Sequence, residues 1–131
     1  LNLIQDGQVD DLVLAYLRGV DLAGAFLSGA DLFAADLAAA DLRGADLGEA
    51  HLGSADLSGA DLSRANLLGA DLSWADLKGA TLRGADLKRA DLRGARLQGA
   101  DLRDAVYDGY TLWPEGYDPR TSGAVRAQRR P

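Results

Sequence analysis

The feature that most constrains this chain is a leucine at every fifth position from Leu17 to Leu102. An α-helix turns about 100° per residue, so leucines five residues apart would point about 140° apart and could not share one buried face. A β-strand alternates its two faces, which an odd period does not match. The period does fit a chain that turns a corner in every unit. Four corners would close a coil of about 20 residues, and coils would stack at the β spacing of about 4.8 Å.

The residues around each leucine support this interpretation. Alanine stands two residues before the central residue at 18 of the 19 places from Ala15 to Ala105, and aspartate stands directly before it at 13 of the 19 centres from Leu12 to Leu102. Residues two apart in an extended segment point to the same side, so alanine and leucine are predicted to face inward together. Glycine is frequent two residues after the leucine, where it would let the chain bend. Tandem repetition of this kind takes precedence over local patterns.

The runs ADLRGADLGEA and ADLKRADLRGARLQGADL closely resemble the pentapeptide-repeat proteins, whose signature is A(D/N)LxX. The resemblance covers about three-quarters of the chain. It implies an all-β fold, a right-handed quadrilateral β-helix in which the central leucine and the preceding alanine lie inside. We predict a β-helix over residues 12–112 with about five coils, which makes a rod about 24 Å long.

The two ends depart from the repeat and are predicted to be short caps, at residues 1–11 and 113–131. After the last regular unit, Tyr107 is assigned to a central place, Tyr110 to an alanine place and Leu112 to the last centre. Trp113 and Tyr117 suit a plug over the open core, because an uncovered solenoid end exposes unpaired backbone and apolar side chains. The segment from residue 121 is predicted to form a short turn or helix, followed by a basic tail.

Composition limits the classes of function. Cysteine is absent, so the chain has no disulfide and no thiolate chemistry. The net charge of −6 argues against direct nucleic-acid binding, which requires a basic stripe. No apolar run approaches the roughly 18 residues of a membrane span, so no membrane contact is expected. No targeting segment is visible, so the compartment is left open, with the cytoplasm as the default.

Catalytic, cofactor and metal sites are not predicted. Residues 20 apart should stack in columns, which places His51 between Asp31 and Asp71 in one column. A histidine between carboxylates could bind a metal or act as an acid–base pair. The aspartates are, however, part of the repeat motif. Aspartates in identical surroundings do not have the distinct environments that a catalytic carboxylate pair needs.

The candidate contact residues lie on the predicted outer surface. Trp74 and Leu68 are apolar residues at outward positions in the middle of the rod, where a cap could not easily reach them, and exposed aromatics favour contact sites. Arg43, Arg83 and Arg103 share one column, either as a strip for an anionic partner or as partners that relieve repulsion between stacked aspartates. A second apolar group nearer the N-terminus is interpreted as packing under the N-terminal cap: Val13, Leu14, Tyr16, Phe26 and Phe33.

These features favour a non-catalytic structural or protein-interaction module that presents a rigid acidic rod to an unidentified protein partner. The rod is expected to be a monomer or an end-to-end or side-by-side homodimer. The resemblance offers an alternative, because some pentapeptide-repeat proteins mimic DNA, bind DNA gyrase and confer fluoroquinolone resistance. The leucine centres, the short rod and the short basic tail count against that alternative.

Overall fold

The computed structural model describes residues 11–128. Seventeen isolated parallel bridges connect the coils, and every bridge but the last joins residues 20 apart, from Asp11 with Asp31 to Asp86 with Val106. The chain is therefore a β-helix solenoid with four five-residue units per turn, as the leucine period predicts. The predicted N-terminal cap lies outside the described residues except for Asp11.

Backbone hydrogen bonds explain how one unit forms a corner. Leu42 N–H donates to Asp61 O of the next coil at 2.8 Å, and Asp41 N–H donates to Val20 O of the preceding coil at 3.0 Å. Within the unit, Ala45 N–H donates back to Leu42 O at 3.0 Å, which closes a four-residue turn. The residue before Ala45 is Gly44 with φ +65°, and this left-handed conformation at the third turn position is the one a type II turn requires.

The same left-handed conformation recurs at corners where the sequence has no glycine. Trp74 and Arg89 both have φ +61°, and Ser54 has φ +56°. An L-residue in this region is strained by roughly 1–2 kcal/mol. The stacked coils therefore impose the turn geometry on whatever residue stands at the corner.

The core is a narrow column of leucine and alanine. The leucines from Leu32 to Leu92 are fully buried, with 0% of their surface exposed. Because each coil adds the same side chains above the last, each unit gains its burial mainly from its neighbours, which is how solenoids are stabilised.

The aspartate before each leucine has a structural role that the sequence pattern alone does not reveal. Its Oδ1 atom accepts a hydrogen bond from the backbone N–H two residues later, as between Asp41 and Arg43 at 3.1 Å. Asn66 does the same for Leu68 at 3.0 Å. This bond explains why aspartate is common at this place, because it holds the second residue of the four-residue turn.

The C-terminal end differs from the sequence-based prediction in register. The last bridge joins Asp91 to Leu112, 21 residues apart, and Leu112 is 43% exposed. The assignment of Leu112 as the last inward centre is therefore wrong, as is the assignment of Tyr110 to an alanine place. Thr111 is the buried residue there, and its hydroxyl donates to Leu87 O at 2.8 Å.

The extra residue is accommodated in a turn after Tyr107, which does occupy a buried central place as predicted. Asp108 Oδ1 accepts hydrogen bonds from the backbone N–H groups of Arg89, Tyr110 and Thr111, at 3.0 to 3.1 Å. One carboxylate thus fixes a loop that is one residue longer than a regular corner.

Aromatic residues close the end of the core. Trp113 and Tyr117 pack against the leucine column, with their rings stacked at 5.3 Å, and Tyr107 meets Trp113 edge to face at 5.5 Å. A short 3₁₀ helix follows at Pro119–Thr121. The chain then pairs β1 (Val106–Tyr107) with β2 (Val125–Arg126) in parallel, so a strand forms where a turn or helix followed by a tail was expected.

Candidate protein-interaction surface

An apolar corner runs along one edge of the rod. We use this name for Val13, Leu14, Phe33 and Trp74, which occupy the two turn positions of the same corner in the first, second and fourth described coils and are all exposed. The corner spans three coil spacings, or about 14 Å. Small residues, among them Ala34 and Ser54, fill the remaining turn positions in between.

Trp74 is the largest exposed side chain on this corner. Its side chain is 72% exposed, and its backbone N–H donates to Arg93 O at 2.9 Å. The indole lies against Gly94 of the next coil so closely that a Cβ atom on that glycine would stand 2.5 Å from the ring. One side of the indole therefore packs on Gly94, and the other side is accessible to solvent or to a partner.

Phe33 repeats this arrangement nearer the N-terminus. Its ring lies beside Gly53, where an added Cβ would be 3.3 Å from a ring carbon. Leu14 and Val13 continue the apolar surface one coil before it. The sequence-based predictions that Trp74 points outward and that Phe33 and Val13 share a column with Leu14 close by are confirmed, and the structure adds that Trp74 lies on the same corner.

Leu68 is exposed as predicted, but it lies on the adjacent corner, in the column of Gly48 and Lys88. The structure therefore does not bring Leu68 and Trp74 together into one apolar patch. Tyr16 and Phe26 are also exposed, at bridge positions of the first described coil, where they pair with Asp36 and Asp46. The N-terminal cap is predicted to pack over Val13, Leu14, Tyr16, Phe26 and Phe33; apart from Asp11 that cap lies outside the described range, so this interpretation stays a prediction.

Arginines occupy the corner half a turn away from the apolar corner. Arg43 donates to both carboxylate oxygens of Asp41, at 2.8 and 2.6 Å, and Arg103 does the same to Asp101, at 2.9 and 2.7 Å. Chiefly through these side-chain hydrogen bonds, each arginine lowers the pKa of its aspartate from 3.8 to about 2. Two of the three arginines in the predicted column are thus hydrogen-bonded to an aspartate of their own repeat unit, and Arg83 is the exception.

His51 is exposed and bridges Asp31 and Asp71 in the backbone ladder, as the column model predicts. Among residues 11–128, no group of three or more histidine, aspartate or glutamate side chains is arranged to hold a metal ion. Within that same range, no helix has the length and apolar character needed to cross a membrane. Among the described residues, the apolar corner is the candidate protein-interaction surface because it groups four exposed apolar side chains.

A rod of stacked five-residue units with this pattern defines a repeat protein of a known class. The family model described as pentapeptide repeats (8 copies) matches residues 11–48, 45–84 and 70–106, and the chain belongs to that family. Family members are generally non-catalytic structural modules. A comparison with curated protein sequences gives no significant match.

Solved structures from cyanobacteria are similar over most of the chain. The pentapeptide repeat protein alr5209 from Nostoc Pcc 7120 is 44% identical, with 77% of this chain and 84% of that chain covered and a TM-score of 0.76. Rfr23 from Cyanothece 51142 is 42% identical, with 72% and 64% covered and a TM-score of 0.71, so this chain spans less than two-thirds of Rfr23. QnrB1, a plasmid-mediated fluoroquinolone resistance protein, is 18% identical over 86% of this chain and 79% of that chain, with a TM-score of 0.32, which is too distant to transfer a function.

Proposed function

We propose that this chain is a non-catalytic structural and protein-interaction module. In this proposal the rod is a right-handed quadrilateral β-helix of about five coils with short caps, and its apolar corner binds a protein partner. The observation that carries the proposal is Trp74, a highly exposed indole held flat on Gly94 in the middle of the rod.

Two physical arguments support a contact role for this corner. Tryptophan is enriched among the residues that contribute most to protein–protein binding, and such residues act from rigid, preorganised positions. Here the indole packs on Gly94, and hydrogen bonds between the coils fix the backbone of Trp74. Binding should therefore cost little conformational entropy of this side chain.

The experiment compares partner capture by the wild type, Trp74→Ala and Glu49→Ala. Glu49 is a matched control because it occupies the same turn position on another corner, has φ +56°, and likewise lies over a glycine, Gly69. Proteins captured from a lysate of the source organism would be purified, and their affinities measured by calorimetry. Truncating a central tryptophan typically costs about 2 kcal/mol or more, so we expect about 30-fold weaker binding for Trp74→Ala and no change for Glu49→Ala.

Captured partners that bind Trp74→Ala and Phe33→Ala as tightly as the wild type would refute the apolar corner as the contact surface. Gyrase subunits among them would instead support the alternative, a DNA-mimicking gyrase-binding protein, for which the columns of stacked aspartates are the favouring feature. That alternative further requires a dimer with an acidic face continuous across both rods. Sedimentation of the purified chain distinguishes the proposed monomer from an end-to-end or side-by-side homodimer.

A further inference from the structure

Arg83 differs from the other arginines of its column because of the residue two places before it. That residue is Thr81, which interrupts a column that otherwise consists of aspartates. Arg83 therefore lacks the carboxylate that binds Arg43 and Arg103, each of which follows an aspartate by two residues. Its only carboxylate contact among the described residues is from Nε to Asp101 Oδ2 at 4.0 Å, and Asp101 is already held by two hydrogen bonds from Arg103.

A second arginine stands beside Arg83. Arg64 and Arg83 line a shallow cavity of about 570 Å³ together with Ser63, Gly84 and Asp104. Arg64 Cγ lies 3.4 Å from the place where a Cβ atom of Gly84 would be, so its stem runs along the space that the glycine leaves open. Within residues 11–128, no carboxylate lies within 4.0 Å of the Arg64 guanidinium.

We propose that Arg64 and Arg83 together bind a carboxylate of an aspartate or glutamate side chain on a partner protein. Guanidinium groups present planar forks that match the two oxygens of a carboxylate, and Arg43 shows this bidentate geometry with Asp41 on the same corner. A phosphate is disfavoured because Asp104 lines the cavity and would repel a group of about −2 charge more strongly than one of −1.

This site goes beyond the function proposed above, since it lies half a turn from the apolar corner. Residues 64 and 84 differ from Trp74 by half of the 20-residue coil. The rod would therefore present an apolar contact on one side and an anion-binding contact on the other. A peptide titration of this site gives a result that does not depend on whether the apolar corner binds a partner.

The test follows the Nε–Hε signals of the arginine side chains by NMR while the full chain is titrated with a blocked peptide. The peptide contains one glutamate between glycine and serine residues, and its control contains glutamine instead. We expect saturable shifts of the Arg64 and Arg83 signals with the glutamate peptide, little change at Arg43 and Arg103, and no shift with the glutamine peptide.

Thr81→Asp is the decisive variant because it keeps both arginines. An aspartate at this position would grip Arg83 as Asp41 grips Arg43, so the saturable shifts should disappear. Aspartate is the usual residue at this place of the repeat, and the backbone amide spectrum verifies that the variant is folded. Arg83→Gln should likewise abolish the saturable shift of the Arg64 signal. Arg43→Gln is the control and should leave the titration of Arg64 unchanged.

Three results would overturn the proposal. Equal shifts at all arginines would show only unspecific attraction, and shifts that survive in both folded Thr81→Asp and Arg83→Gln would place the anion elsewhere. Saturable shifts with inorganic phosphate but none with the glutamate peptide would show that the site does not select a carboxylate.

Discussion

Replacing Leu62 by alanine should destabilise this protein far more than replacing Leu112 by alanine. Leu62 is fully buried in the middle of the leucine column, whereas Leu112 is 43% exposed at the C-terminal end. The repeat pattern assigns both residues to inward central places, and the structure assigns only Leu62 to one. The pair therefore tests the register shift as well as the core.

The magnitudes follow from the two environments. A buried leucine-to-alanine change costs about 2–5 kcal/mol, and more when the surroundings cannot collapse into the cavity. Around Leu62 the coil spacing is fixed by backbone hydrogen bonds, among them Leu62 N–H to Thr81 O at 2.7 Å, so we expect about 3–5 kcal/mol. Fully burying a leucine contributes about 1.5–3 kcal/mol, and Leu112 is little more than half buried, so its truncation should cost about 1 kcal/mol.

Urea titrations followed by far-ultraviolet circular dichroism measure both changes. Tryptophan fluorescence recorded on the same samples checks that unfolding is cooperative, since Trp74 reports on the middle of the rod and Trp113 on its end. Equal losses of unfolding free energy for the two variants, or a larger loss for Leu112→Ala, would refute the register shift. A small loss for Leu62→Ala would refute the stacked leucine core.

Two further predictions concern charge and backbone strain. Asp41 and Asp101 have pKa values of about 2 in the folded chain, below the usual 3.8, so their contribution to stability is fully present above about pH 4 and is lost as the pH falls towards about 2. Replacing Arg43 and Arg103 by glutamine should therefore make the fall of the urea midpoint between pH 4 and pH 2 shallower, and an unchanged slope would contradict this. Ser54→Gly should stabilise the fold by about 0.5 kcal/mol in thermal or urea unfolding. Glycine removes the strain of the left-handed conformation at φ +56°, and this gain should exceed the cost of the greater freedom that glycine has in the unfolded chain. A loss of stability at this exposed corner would show that the turn is not strained.

The central fold could be predicted from the sequence because one physical requirement repeats without interruption. Almost every inward leucine has an alanine two residues before it and a corner after it, so the burial of Leu62 and the exposure of Trp74 follow from position alone. Stacking by 20 residues then identifies which residues share a column.

The C-terminal register could not be predicted in the same way. Leu112 lies five residues after Tyr107, so simple counting places it inside the core. The single extra residue is accommodated by hydrogen bonds to Asp108, and those bonds depend on three-dimensional contacts with the preceding coil, such as that of Arg89. Thr111 offers no apolar signal that would have identified it as the buried residue.

The candidate sites were predictable only in part. The column of Arg43, Arg83 and Arg103 follows from the 20-residue spacing, but that spacing alone does not show that Arg83 differs from the other two arginines. The separating signal was present in the sequence as Thr81, the one departure from aspartate in its column. Thr81 matters because the aspartate two residues earlier binds Arg43 and Arg103, a contact that the repeat pattern does not reveal.

The 20-residue coil also determines how insertions and deletions act on the surface of this rod. Loss of one five-residue unit between Phe33 and Trp74 would leave the leucine column continuous but would move Trp74 by a quarter turn, onto the corner of Glu49. Loss of four units would return Trp74 to the column of Leu14. Selection for folding alone should therefore tolerate length changes in steps of five, whereas selection for a surface that extends across several coils should tolerate only steps of 20.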